Sequence, residues 1–301
     1  MTSSAAAPQR DTGAPVVELG VPLVGGALGR TAGAGLDGLT VPGASDVLER
    51  GERFAQMRTG ELGALHSWEL VTAVDGPGTR LTFFLSGCPL RCLYCHNPDT
   101  MAMRRGEPVL AADLLRRIAR YVPIFNQSGG GLTISGGEPL MQPAFVARLL
   151  RGAKELGVHT TIDTSGFLGA QCTDEMLDDL DLVLLDVKSG IPETYKKVTG
   201  RALAPTLEFG RRLAARGKEI WIRFVLVPGL TDAPDNVEAV ADYVATLSTV
   251  SRVEVLPFHQ MGQDKWAALN MPYELDGVEP PSREQTEAVR DVFRARGLTT
   301  F

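Results

Sequence analysis

With 301 residues, 44% of them hydrophobic, the chain is long enough for one sizeable α/β core plus a tail and too short for two full domains. Its formal net charge of −6 argues against a general affinity for nucleic acid or for an anionic membrane. No run of about 18 apolar residues occurs, and the N-terminus lacks the charged and apolar regions of a secretory signal, so no membrane association and a cytoplasmic location are expected.

Residues 1 to 65 are rich in Ala, Gly, Pro, Ser and Thr and carry short apolar pieces such as Val21-Pro22-Leu23-Val24 without sustained periodicity. They are expected to form a mostly disordered extension, with the catalytic domain at 66–301. One short helix is expected near 44–57, where Ser45 and Asp46 offer a cap ahead of Val47, Leu48 and Phe54.

From about Ser67, strand-length apolar runs alternate with amphipathic segments of helix length. Strands are predicted at 80–86, 131–135, 159–164, 182–187, 219–227 and 253–258, with helices near 110–121, 143–156, 173–180, 204–216, 233–248 and 282–296. Regular β/α alternation predicts a parallel sheet with right-handed crossovers, closed or partly closed as a barrel of six β/α units. In such a fold, function gathers at the C-terminal edge of the strands. Unusual residues recur at that edge: Cys88 after the first strand, Gly136, Gly137 and Glu138 after the second, and Asp163 and Thr164 closing the third. Asp186 and Lys188 close the fourth, Arg223 lies in the fifth, and His259 follows the sixth.

Three of the four cysteines, Cys88, Cys92 and Cys95, fall on one loop, which in a reducing compartment reads as metal binding. Three soft thiolates suit three irons of a cubane cluster and leave the fourth iron without a protein ligand, a reactive position. Haem attachment through Cys92-Leu-Tyr-Cys95-His96 would leave Cys88 unexplained, and a structural zinc site would lack its second ligand pair. Cys172 stands apart and reads as a spare thiol. Gly136 and Gly137 remove the side chains that would keep a ligand from the backbone, and Glu138 adds a carboxylate; a bare turn is the alternative. Asp186 and Lys188, two apart on a strand, share a face and suit a structural salt bridge as well as a ligand contact. Asp75-Gly76-Pro77-Gly78 has the composition of a turn.

The Cys-x3-Cys-x2-Cys loop after a first strand resembles the signature of the radical S-adenosylmethionine (SAM) superfamily. Asp75-Gly-Pro-Gly-x-Arg80, Tyr94-Cys95-His96-Asn97, Ser135-Gly-Gly-Glu138-Pro139, Asp163-Thr-Ser-Gly166, Asp186-Val-Lys188, Trp221-Ile-Arg223 and Leu256-Pro-Phe-His259 extend the resemblance to the activases of glycyl-radical enzymes of the pyruvate formate-lyase type. It runs from about Ser67 to Phe301.

The resemblance implies a partial (β/α)6 barrel and a [4Fe-4S] cluster on the three cysteines, with SAM on its open iron. It implies SAM contacts from Tyr94, Cys95, His96, Gly136, Gly137, Glu138, Asp186, Val187, Lys188, Arg223 and His259, with the Gly-Gly-Glu segment holding the methionyl amine. It further implies a monovalent cation at Asp163 and Thr164, and a partner's glycine loop beside Asp75, Gly76, Pro77, Gly78 and Arg80. A flavodoxin or ferredoxin is the implied electron donor. The absence of further cysteines between Cys95 and Gly136 sets the chain apart from activases with inserted ferredoxin-like clusters. A radical SAM enzyme for a small molecule, of the deazaguanine-synthase kind, is the alternative enzyme; a metal-stabilised binding protein is the alternative outside catalysis.

Overall fold

The computed structural model describes residues 50–72 and 75–301. Helix α1 (Arg50–Thr59) overlaps the helix expected near 44–57, and strand β1 (Leu62–Thr72) precedes the first predicted strand. The boundary drawn at residue 65 therefore cuts through β1, whose Leu62, Ala64 and Leu65 belong to the core. The start of the expected 44–57 helix and the rest of the extension lie outside the described residues. A register shift between Leu65 and Ser67 explains why β1 was missed, since a bulge breaks the two-residue alternation by which a strand is recognised.

The remaining strands are β2 (Thr79–Leu85), β3 (Glu107–Leu110), β4 (Gly131–Gly136), β5 (His159–Thr164), β6 (Leu182–Asp186), β7 (Glu219–Leu226) and β8 (Val250–Pro257). They form one eight-stranded sheet in the order β3-β1-β2-β4-β5-β6-β7-β8. β2 and β4 to β8 run parallel, as the β/α alternation predicts, and β1 pairs antiparallel with both β2 and β3. Leu81, Thr82, Phe83 and Leu85 of β2 are all fully buried, the both-faces burial of a parallel strand with helices outside.

The helices are α2 (Ala111–Ser128), α3 (Pro143–Glu155), α4 (Asp174–Asp178), α5 (Pro192–Thr199), α6 (Ala204–Ala215), α7 (Pro234–Ala245), α8 (Gln263–Ala268) and α9 (Arg283–Arg294). Their apolar stripes supply the outer layer of the core: Leu114, Ile118 and Phe125 from α2, and Val146, Leu149 and Leu150 from α3. Burying each such side chain contributes about 1.5–3 kcal/mol. The sheet curls. Asp75 lies just ahead of β2 and Arg223 on β7, yet the two side chains meet at 3.4 Å, which a flat sheet in this strand order would not allow. The result is a partial (β/α)6 barrel with β1 and β3 added at one edge. Among the described residues no helix is long and apolar enough to cross a membrane.

Candidate active site

The cysteine loop leaves β2 at Ser86 and is fastened from three directions. Its own continuation closes it, with Gly87 N donating to Thr100 O (2.7 Å) and Cys88 N to Met101 O (3.1 Å). The end of α5 holds its middle: Arg91 N donates to Thr199 O (2.8 Å) and Leu93 N to Val198 O (3.0 Å). The segment after β8 holds its far side, where Trp266 Nε1 donates to Cys95 O (2.8 Å) and Lys265 Nζ to Asn97 Oδ1 (2.7 Å). There His96 Nε2 donates to His259 O (3.2 Å), and the two imidazoles stack with centroids 4.1 Å apart.

Cys92 is buried, and Cys88 and Cys95 are partly so. Burial pushes the Cys88 and Cys92 thiols up to about 12; negative charge on Glu138 and Cys92 adds to the rise at Cys88, whereas Lys188 opposes it at Cys92. Cys95 is raised as well, first by burial. Groups this reluctant to ionise alone are the kind a metal must deprotonate by binding. Cys172 lies apart, packed in the main core ahead of α4, where burial holds its thiol up at about 11. Among the described residues no three His, Cys, Asp or Glu groups converge as they would round a single ion. In a cubane cluster each thiolate instead reaches its own iron.

The Gly136-Gly137-Glu138 turn lies backbone to backbone against this loop. Gly137 N donates to Leu85 O and Glu138 N to Gly87 O, both at 2.8 Å. Gly136 has φ 113°, and a Cβ on Gly137 would fall 2.4 Å from Gly87 O. Neither position admits a side chain. Glu138 is 1% exposed and its carboxylate is fully engaged: Oε1 accepts from Thr164 Oγ1 (2.6 Å) and Leu140 N (3.2 Å), and Oε2 accepts from Ser165 N (3.0 Å) and Ser165 Oγ. The side chain thus ties the end of β4 to the end of β5. Gly137→Ala is expected to displace the cysteine loop, because backbone oxygens cannot swing aside. The expected loss is about 3 kcal/mol, at the upper end for overpacking, with impaired iron uptake. Thermal unfolding and iron content measure both, and unchanged values would refute the packing argument.

Inside the curl, Arg223 gathers carboxylates from three elements. Its guanidinium reaches Asp75 Oδ1 at 3.4 Å, Asp163 Oδ2 at 3.2 Å and Glu254 Oε2 at 3.1 Å. Burial opposes its charge, but Asp163, Asp186, Asp75 and Glu254 outweigh that and hold it protonated. Asp163 is pushed up to about 7, by burial against the pull of Arg223, with Asp186 and Asp75 adding to the rise. Its Oδ2 accepts from Ser135 Oγ (2.8 Å), while its buried Oδ1 has no hydrogen-bond partner in the protein. Lys188 pairs with Asp186 at 2.8 Å, the salt bridge foreseen as one reading of that spacing, and lies 5.6 Å from the centre of the Tyr94 ring. Burial opposes its charge too, but Asp186, Tyr94 and Cys92 raise its pKa well above the ordinary value. Tyr94 Oη and His259 Nδ1 are likewise buried without partners. The Val187 side chain points into the main core, and its N–H donates to Arg223 O (3.0 Å).

Asp75 faces the same interior, with Thr82 Oγ1 donating to its Oδ2 (3.2 Å) and Thr133 Oγ1 to its carbonyl (2.7 Å). Gly76 is buried, and Pro77 and Gly78 are half-buried. Arg80 departs from expectation. It is fully buried rather than free for a partner: Nε donates to Thr133 Oγ1 (2.9 Å), and Nη2 to Thr161 Oγ1 (2.8 Å) and Leu132 O. Its five donors staple β2, β4 and β5 together from within, a role that proximity to Asp75 in sequence does not reveal. Glu254, Trp266 and Lys265 were not singled out from the sequence. Glu254 had only strand alternation to mark it, and the other two sit on a short helix without a recognisable motif.

The model of the radical SAM superfamily matches residues 82–244, which include the cysteine loop and the Gly-Gly-Glu turn. The pyruvate formate-lyase 1-activating enzyme of Escherichia coli strain K12 is 40% identical over 238 residues, covering 78% of this chain and 97% of that protein. The pyruvate formate-lyase-activating enzyme of Clostridium pasteurianum is 42% identical over 233 residues, covering 77% and 98%. A radical SAM methyltransferase from Sphaerobacter thermophilus shares the fold, with a TM-score of 0.55, 17% identity and coverage of 85% of this chain and 81% of that one. Sheet order, cysteine loop and these likenesses agree: the chain belongs to the radical SAM superfamily and, within it, to the family of the pyruvate formate-lyase activating enzymes.

Proposed function

We propose that this protein activates a glycyl-radical enzyme of the pyruvate formate-lyase type by abstracting a hydrogen atom from a glycine of that partner. The observation that carries the reading is the identity of about 40% to activating enzymes along nearly their whole length. The family implies a [4Fe-4S] cluster and SAM, and the residues fit both. Three thiols share one loop, a side-chain-free turn lies against it, and three buried polar atoms, Asp163 Oδ1, Tyr94 Oη and His259 Nδ1, await partners. When bound, these groups supply one-electron cleavage of the S–C5′ bond of SAM and a 5′-deoxyadenosyl radical able to take the glycine hydrogen.

Cys88, Cys92 and Cys95 would hold three irons. Gly136 and Gly137 would let backbone approach the methionyl amine, while Glu138 keeps that turn in place through Thr164 and Ser165. Asp186, Lys188, Arg223, His259, Tyr94 and His96 would line the rest of the SAM site, with Val187 offering only its main chain. Lys188 and Arg223, both held charged, suit a carboxylate. Asp163, with a free buried oxygen beside Thr164, suits a monovalent cation. The Asp75-Gly76-Pro77-Gly78 segment would flank the partner's glycine loop, which must leave its own fold to enter this one. A flavodoxin or ferredoxin would deliver the electron, and the cytoplasm is the fitting compartment.

The test uses partner lyase deuterated at glycine Cα, mixed anaerobically with cluster-loaded protein, SAM and a reductant. Deuterium in the 5′-deoxyadenosine together with a glycine-centred spin signal is the expected result. Cleavage of SAM without deuterium transfer, while a small molecule is consumed, would hand the site to the small-molecule reading.

A further inference from the structure

In a chain of net charge −6, four cations gather beside the cysteine loop. Arg91, Lys196, Lys197 and Arg201 are all exposed, and among the described residues none of them forms an ion pair. Several other surface arginines are paired, Arg151 with Asp179, Arg212 with Asp174, Arg216 with Asp178 and Arg296 with Asp242, whereas Arg58, Arg104, Arg105, Arg120, Arg211 and Arg283 are likewise exposed without an ion pair among the described residues. The four cations are held beside one another by the bonds that fasten the cysteine loop. The main chain at Arg91 and Leu93 is stitched to the last turn of α5, which carries Lys196 and Lys197. Arg201 Nε donates to Pro89 O (2.7 Å), and Arg91 Nη1 donates to Cys88 O (2.8 Å) and Leu90 O (2.6 Å).

The negative end of the α5 dipole accounts for two lysines in its last turn but not for the two arginines. Glu193, in the first turn of α5, forms no ion pair with either lysine, and the patch, with its excess of positive charge, attracts and orients an oppositely charged protein. Two of its guanidinium groups touch the carbonyls of Cys88 and the residue after it, so anything docked there lies against the backbone that bears a cluster ligand. A lyase has a different address, because its glycine must reach the interior where Asp75, Asp163 and Arg223 meet.

We propose that Arg91, Lys196, Lys197 and Arg201 form the docking surface for an acidic one-electron carrier protein that reduces the cluster. The proposal rests on the activase reading and deepens it. The balance is simple: the reduced carrier loses one electron, the oxidised cluster gains it, and no proton or group moves. The lysines take no other part in the site, so reversing them tests docking alone.

Cluster-loaded Lys196→Glu/Lys197→Glu protein should cleave SAM at the wild-type rate with dithionite and contain the same iron. With photoreduced flavodoxin at low ionic strength its rate should fall about tenfold or more, within the range by which steering alters association. The deficit should shrink as salt approaches about 1 M, where screening is nearly complete. Lys196→Gln/Lys197→Gln, which removes charge without adding any, should fall in between. An unchanged rate with flavodoxin would overturn the proposal, as would an equal loss with dithionite. A loss that appears only in glycyl-radical yield with the lyase would also overturn it and assign the patch to that partner. No SAM cleavage by wild type with either reductant would overturn the activase reading itself and this inference with it.

Discussion

Replacing Cys88, Cys92 or Cys95 by Ala, one at a time, should reduce bound iron from about four per chain to below about one and abolish reductive SAM cleavage. A cubane with three protein ligands has already given up one iron to substrate, so losing a second ligand leaves too few to retain it. Cys172→Ala should behave differently. Its thiol packs in the main core, far in kind from the loop, so the variant should keep its iron and cleave SAM within about twofold of wild type. The cavity should cost about 1–2 kcal/mol of stability. Iron analysis, visible absorption and 5′-deoxyadenosine yield decide the matter. Loss of iron in Cys172→Ala, with any one of the other three unaffected, would undo the ligand assignment.

Arg223→Met should be the most damaging substitution for the protein without its cluster. It strands Asp75, Asp163 and Glu254 in the interior, and breaking a buried ion pair by removing one partner costs about 3–5 kcal/mol. At about 2–4 °C per kcal/mol for a domain of this size, the melting temperature should fall by about 6–20 °C. Arg223→Lys keeps a charge but offers a single point where the fork serves three carboxylates, so it should fall in between. Adding Asp163→Asn to Arg223→Met should restore part of the loss, because one buried charge no longer needs a partner. Calorimetry on the metal-free protein reads this without any activity assay. A loss below about 1 kcal/mol would mean that water, rather than Arg223, balances these carboxylates.

The six parallel strands were legible because strands buried on both faces read as unbroken apolar runs, as in Leu182–Asp186, and glycine or polar residues mark their ends. β1 was not legible, since its bulge scrambles alternation and its buried half lies next to an exposed one carrying Glu69 and Leu70. Among site residues, the cysteine loop and the Gly-Gly-Glu turn stood out because their chemistry depends on local spacing. What Arg80 does depends on which strands lie beside β2, and no local pattern carries that. Glu138 shows the same limit: sequence offers a carboxylate beside two glycines, and only tertiary structure reveals that Thr164, Ser165 and Leu140 already occupy it.

The fastening of the cysteine loop by the segment after β8 bears on how the protein is made. Trp266 and Cys95 are 171 positions apart in sequence, and His259 and His96 are 163 apart. At about 5–20 residues per second, a ribosome needs on the order of ten seconds or more to pass from one to the other. During that interval the three thiols have been synthesised while Trp266, which holds the Cys95 carbonyl, has not. Iron delivered to the nascent chain would meet a loop still lacking one of its three anchors. The loop therefore reaches its fully fastened state only after synthesis of α8.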